Sequence, residues 1–285
     1  MISQKIDVAS NIHARIVLGV LHNGTPQGVQ AFLAERRPDV HINLCGPSCL
    51  PRLARCVLGK GVGLVLGGGA ARGFAHVGVL RALFERGVPV DVVGGTSVGA
   101  ATAAAVAMGQ DIDRIESAAR QLGNSSVLDL TLPFLSIATG KQLKKILIET
   151  TGGGDIEDLI LPFYALAADL VSREAIALGS GPTWKAVRAS MSVPGVWSPI
   201  RRGGAILVDG GVIDNLPIKH MSCIPEVGVV IAVKLDGDGA IQADKIPEEG
   251  VCNGWRRVLP SGRDSGPNIV SILFAMATLS RGHPA

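Results

Sequence analysis

The sequence predicts an α/β fold, and three observations carry that prediction. Between Val62 and Gly99 the chain twice passes from an apolar run through glycines into a helix-forming segment. Apolar residues make up 47% and charged residues 18% of the 285 positions, against about 25% charged in an average soluble domain, so a substantial core can be buried. The longest apolar runs, Val98 to Met108 and Val227 to Val233, fall well short of the about 20 residues a membrane-spanning helix needs. They suit a buried helix and a buried strand.

Each element of that central stretch has a local cause. Val62 to Leu66 is a strand that breaks into Gly67, Gly68 and Gly69, passes Arg72 and Gly73, and continues as an amphipathic helix to Gly87. Val77, Leu80 and Phe84 recur at helical spacing, Arg81, Glu85 and Arg86 fall on another face, and Gly87 stands at the expected C-cap. Val90 to Val93 is the next strand, breaking at Gly94 to Gly99, and the alanine-rich Val98 to Met108 forms a helix ended by Gly109.

Upstream, residues 1–60 read as a partial α/β linking subdomain. It has strands at Arg15 to Leu21 and Val40 to Leu44, helices at Gln27 to Glu35 and Leu50 to Leu58, and a boundary at Gly59 to Gly61. Residues 61–236 form the main domain. After the serine turn it carries helices at Asp111 to Leu122 and Lys141 to Thr150 around an irregular Gly123 to Gly140. Strands follow at Pro162 to Leu170 and Ala175 to Leu178, then a helix at Thr183 to Met191. Pro194 and Pro199 make Val193 to Pro199 a loop. Strands at Ile206 to Val208 and Gly228 to Leu235 complete the domain, and residues 237–285 form a tail, helical at Asn268 to Leu279 and otherwise irregular.

The 27 Lys and Arg against 24 Asp and Glu give a charge of +3, too slight for a nucleic-acid partner, and no aromatic and basic stripe suggests one. A mean hydropathy of +0.36 without a spanning segment points to peripheral contact with a lipid surface. The first residues lack the apolar core and cleavage site of a signal peptide. Five cysteines, Cys45, Cys49, Cys56, Cys223 and Cys252, show no C-x-x-C pair. They read as buried free thiols of a reducing, cytoplasmic setting.

In Gly95-Thr96-Ser97-Val98-Gly99 the flanking glycines let a strand-to-helix turn close without Cβ collisions, presenting the Ser97 hydroxyl at a helix amino end. A serine nucleophile needs a base and donors for the oxyanion. The turn from Gly67 to Gly73 opens on the same sheet edge and supplies amides; Arg72 either assists there or pairs with a carboxylate. Asp209 is the better base: it ends an apolar strand and is followed by Gly210 and Gly211, and a partly desolvated carboxylate has its pKa raised. His220 follows Asp209 in the order of a Ser, Asp, His triad but lies on a helix, His283 lies at the terminus, and His76 reads as structural. A dinucleotide site is the weaker reading of the glycine turn, because Ala70 breaks the frame and no acidic residue follows the second strand at the expected distance of about 20.

Together the glycine loop before Arg72-Gly73, the Gly95 to Gly99 elbow and Asp209-Gly210-Gly211 resemble the patatin-like phospholipases, above all bacterial members related to neuropathy target esterase. The similarity extends to Asp214-Asn215-Leu216-Pro217, to Val193-Pro194-Gly195 and to the piece before Lys60, covering about Arg15 to Leu235. It implies a three-layer α/β/α sandwich and a Ser–Asp dyad that hydrolyses acyl esters of phospholipids or lysophospholipids, with no metal and no cofactor. By that resemblance Ser97 is the nucleophile, Asp209 the base, and Gly68, Gly69, Ala70, Arg72 and Gly73 form the oxyanion loop. Relatives of this type often carry regulatory cyclic-nucleotide-binding domains and sometimes membrane spans upstream; such domains are expected here to be absent or lost. The chain departs from the pattern at Ala70, where the loop usually has glycine. If that position needs φ > 0, alanine costs on the order of 1 kcal/mol and tilts the neighbouring amide. A catalytically weak lipid- or partner-binding protein, or a triad through His220, are the alternatives.

Overall fold

The computed structural model describes residues 15–124, 129 and 136–235. The expected tail helix, Cys252, His13 and His283 lie outside the described residues, as does part of Gly123 to Gly140. In chain order the elements are β1 (Val17–Leu21), α1 (Val29–Ala34), β2 (Val40–Leu44), α2 (Leu50–Val57), β3 (Gly61–Leu66), α3 (Phe74–Glu85), β4 (Val92–Thr96), α4 (Val98–Ala107) and α5 (Ile112–Asn124). They continue with β5 (Ser136–Ala138), α6 (Lys141–Thr151), β6 (Phe163–Asp169), β7 (Ala175–Leu178), α7 (Thr183–Ser190), β8 (Gly195–Trp197), β9 (Ile200–Arg202), β10 (Ala205–Asp209), α8 (Ile218–Ser222) and β11 (Val227–Val233).

A seven-stranded sheet runs β11-β3-β4-β6-β10-β9, with β7 also paired to β6. The strands β11, β3, β4 and β6 are parallel; β7 and β10 lie antiparallel to β6. Every residue of β6 is buried, as expected of a central strand covered on both faces. Because side chains alternate along a strand, Leu64 and Leu66 join α3, α4, α6 and α7 in the main core, while Val65, Val92 and Tyr164 pack on Met221 of α8. Helices thus cover both faces, as expected.

The register around β6 decides where the chemistry sits. Leu166 pairs with Thr96 of β4 on one side and Ala177 of β7 on the other; Ala167 pairs with Asp209 of β10 and Ile176 of β7. Two strands on opposite edges of β6 cannot be β4 and β10, since both face β7 across it. They share one edge, β4 along its first half and β10 along its second. One runs parallel to β6 and the other antiparallel, so their carboxyl ends meet between Leu166 and Ala167.

The amino-terminal piece is a two-stranded parallel sheet, β1 with β2, backed by α2 through Ile42, Leu44 and Cys56. Polar contacts fasten it to the main body: Asn43 Nδ2 donates to the Glu157 and Leu159 carbonyls at 2.8 and 2.7 Å, and Arg55 forks onto buried Asp91 at 2.8 and 2.7 Å. Arg15 likewise meets Glu226 with two bonds of 2.9 and 3.0 Å.

Three expectations need correction. Val193 to Pro199 is not all loop: Gly195–Trp197 forms β8 beside β5. Each proline is a poor ladder member, yet Gly195, Val196 and Trp197 between them remain free to pair. Gly94 to Thr96, read as part of a turn, continues β4, because a central strand needs neighbours on both edges more than it needs side chains. Of the described thiols only Cys56 is buried, Cys45 and Cys223 being exposed. Among the described residues no helix is long and apolar enough to cross a membrane.

Candidate active site

Ser97 follows β4 and opens α4 with φ 56° and ψ −126°. A non-glycine residue at positive φ is strained and persists only where its surroundings enforce it. The Ser97 carbonyl accepts from the Ala100 and Ala101 amides at 2.9 and 3.2 Å, starting the helix. Its side chain makes no cap bond, so the hydroxyl is not consumed by the helix end as an N-cap serine ordinarily is. The turn closes because a Cβ on Gly95 would lie 2.5 Å from the Leu66 carbonyl oxygen, and one on Gly99 would collide with the same atom.

Asp209 arrives from the opposite direction. It is fully buried; its amide donates to the Ser192 carbonyl at 2.9 Å, and its Oδ1 accepts from the Gly211 amide at 2.8 Å. Oδ2 is buried and accepts no hydrogen bond. Burial pushes the carboxyl up to about 6, opposed by the nearby Ser97 hydroxyl and by the Gly211 amide. Ser97 therefore lies close enough to stabilise the carboxylate without closing a bond onto Oδ2. The result is a buried carboxyl that titrates at about 6 and has one oxygen without a hydrogen bond.

The glycine turn lies beside this pair. A Cβ on Gly68 would come within 3.1 Å of Ser97 Cβ and 2.5 Å of Asn215 Oδ1. Asn215 holds Gly68 at both ends, its carbonyl accepting the Gly68 amide and its Nδ2 donating to the Gly68 carbonyl, each at 3.1 Å. The Gly67 amide is likewise taken, by the Val233 carbonyl at 3.0 Å. Among the described residues the Gly69 amide donates to nothing, and Ala70 opens a short 3-10 turn, Ala70–Gly73, whose first amide has no partner within the turn. Ala70 itself has φ 48°, so the position that departs from the expected glycine does lie in the left-handed region.

A family model described as a patatin-like phospholipase matches residues 64–221. The chain belongs to the patatin-like phospholipase family. Lysophospholipase nte1 of Emericella nidulans is 45% identical over 179 residues, which is 61% of this chain and 12% of that protein. Lysophospholipase NTE1 of Pyricularia oryzae is 42% identical over 196 residues, 66% of this chain and 13% of that protein. The chain thus spans about an eighth of the length of these curated relatives. The solved structure of VipD from Legionella pneumophila gives a TM-score of 0.41 at 18% identity, covering 55% of this chain and 47% of that one.

Within this patatin-like domain the remaining candidates sort themselves. His220 packs edge-on against Tyr164, ring centroids 4.5 Å apart, and lines a separate cavity of about 360 Å³ with Tyr164, Ile224 and Glu226 that includes neither Ser97 nor Asp209. No described histidine bonds to Asp209, so the His220 triad is not formed. His76 is fully buried, its Nε2 2.8 Å from the Gly67 carbonyl. A carbonyl partner requires Nε2 to carry the proton, and burial holds the ring's pKa down. It buttresses the glycine turn, as its structural reading anticipated. Arg72 is exposed, and among the described residues it pairs with no carboxylate. Gly210 allows the Asp209 turn to lie against the Leu166 carbonyl: a Cβ there would collide with that carbonyl oxygen and come within 3.1 Å of Thr96 Cγ2. Sequence reasoning missed Ser190, whose hydroxyl touches the Ser97 amide, and gave Asn215 no role.

Proposed function

We propose that this chain is a serine esterase that removes acyl groups from phospholipids or lysophospholipids, with Ser97 as nucleophile and Asp209 as base. The observation that carries this reading is the unoccupied, buried Oδ2 of Asp209 beside the Ser97 hydroxyl. The activity in the names of the fungal relatives supports the substrate class.

In the proposed reaction, ionised Asp209 takes the Ser97 proton as Oγ bonds to the ester carbonyl carbon. The oxyanion is held by the amides of the glycine turn, with Gly69 and Ala70 as donors; the Gly68 amide, already bonded to Asn215, acts by orienting its neighbours. Protonated Asp209 then gives its proton to the departing alkoxide as the tetrahedral carbon collapses to an acyl-serine. Water attacks that ester with Asp209 again as base, and the acid and free Ser97 are regenerated. An alkoxide leaves more readily than an amine, so one carboxyl suffices as base and then acid.

Such substrates reside in lipid surfaces, and the proposal includes peripheral contact there. Phe74, 42% exposed directly after the glycine turn, supplies an apolar contact at the mouth. Hydrolysis of short acyl esters and of lysophospholipids should occur with the wild type and vanish in Ser97→Ala and Asp209→Asn. Equal rates in all three would sink the proposal.

A further inference from the structure

The two reactive residues are joined by a third segment, the carboxyl end of α7. Ser190, its last residue, is fully buried. Its hydroxyl donates to the Leu166 carbonyl at 2.6 Å and accepts the Ser97 amide at 2.9 Å. The first bond commits the only hydroxyl proton, so a lone pair necessarily faces Ser97. Two residues on, the Ser192 carbonyl accepts the Asp209 amide at 2.9 Å. Ser192 is itself fixed: its Oγ receives Arg188 Nη1 at 2.6 Å and donates to the Arg188 carbonyl at 2.8 Å. A single turn of chain therefore holds the nucleophile by its amide, the base by its amide, and the carbonyl of the residue opposite which β4 ends.

We infer that Ser190 is a positioning residue of the proposed esterase, keeping Ser97 in its strained elbow at the distance from Asp209 that proton transfer requires. This rests on the serine-esterase reading above. An elbow at φ 56° relaxes by rotating the Thr96–Ser97 peptide, and the amide of that peptide is the group Ser190 grips. Releasing it moves Oγ relative to Oδ2 while leaving the substrate-binding surface in place. The loss then falls on the bond-making step and not on binding.

The test compares wild type with Ser190→Ala, the size-matched Ser190→Cys and the hydroxyl-retaining Ser190→Thr. Three quantities are read: kcat and KM on a lysophospholipid, and the rate at which a fluorophosphonate labels Ser97 in a single turnover. In Ser190→Ala, kcat and labelling are expected to fall together by at least about tenfold with KM within about twofold, and Ser190→Thr to recover most of the loss. Cooperative thermal melts identify folded variants, and Ser190→Cys replaces Ser190→Ala if the latter does not fold. A folded hydroxyl-less variant with wild-type kcat and labelling, or with its whole loss in KM, overturns the inference. Wild-type protein that neither turns over nor labels instead fails the esterase reading and takes the inference with it.

Discussion

Thr96 and Asp209 stand end to end along one edge of β6, opposite the consecutive residues Leu166 and Ala167. A parallel and an antiparallel strand abut there, so the residue after one strand and the last residue of the other face each other across a gap no ladder bond fills. Thr96 Oγ1 donates to the Asp214 carbonyl at 2.9 Å, fastening the same junction from the far side. The consequence is a buried carboxyl next to a strained serine, and its titration should be visible.

Activity is expected to rise with pH through about 6, because Asp209 must be ionised to accept the Ser97 proton and burial places its pKa there. Stability has the opposite slope. A carboxyl raised from its ordinary 3.8 to about 6 binds its proton more tightly folded than unfolded, so stability present at low pH is lost as pH rises from about 4 to about 6. The magnitude is about 3 kcal/mol. Asp209→Asn should abolish turnover, flatten that slope and melt no lower than wild type at pH 7.5. A pH-rate profile and thermal melts at pH 4.5 and 7.5 check both; a profile without a limb near 6 contradicts the assignment.

Ala70→Gly should raise kcat. Left-handed backbone costs alanine about 1 kcal/mol or more, and glycine removes that strain while adding a comparable entropy cost in the unfolded chain. Stability should therefore move by less than about 1 kcal/mol while the Ala70 amide settles into the oxyanion geometry. Ala70→Val, branched at φ 48°, should lower both melting temperature and activity. Activity found only in Ala70→Gly would mean that the natural chain is a lipid- or partner-binding member of its family.

How much of this was legible in the sequence depends on how local each cause is. Val40–Leu44 and Ala175–Leu178 have the bounds their apolar runs indicate, because turn residues mark both ends. Ser97 and Asp209 were legible because each carries glycines that only a tight approach requires. The three-residue strands β5, β8 and β9 are too short to show an alternation. Ser190 was illegible for a different reason: its partner lies 93 residues away, and nothing in Arg188-Ala189-Ser190 distinguishes a buried positioning hydroxyl from an ordinary helix-end serine. Asn215 stood inside a motif, but its role emerges only when Gly68 is brought against it.

His220→Phe should retain turnover within about twofold. The ring contacts Tyr164 on the sheet face that packs α8, and phenylalanine keeps an aromatic edge there, so the melting temperature should change little. Loss of turnover in a variant with normal melting would revive the triad. Steady-state kinetics on one lysophospholipid decides between them.

Asn215→Ala removes the Nδ2 bond to the Gly68 carbonyl but leaves the backbone bond from the Gly68 amide. One lost buried bond costs about 1 kcal/mol or somewhat more, a drop of a few degrees in melting temperature. The effect on kcat should be larger in proportion, about tenfold, because Gly68 precedes the donor amides of Gly69 and Ala70 and its peptide sets their direction. Asn215→Asp separates the causes. It keeps the size of the side chain but offers no donor to the Gly68 carbonyl, so it should lose kcat as Asn215→Ala does. If Asn215→Asp kept wild-type kcat, the side-chain hold on Gly68 would be irrelevant to the oxyanion loop, and the backbone bond from the Gly68 amide alone would suffice.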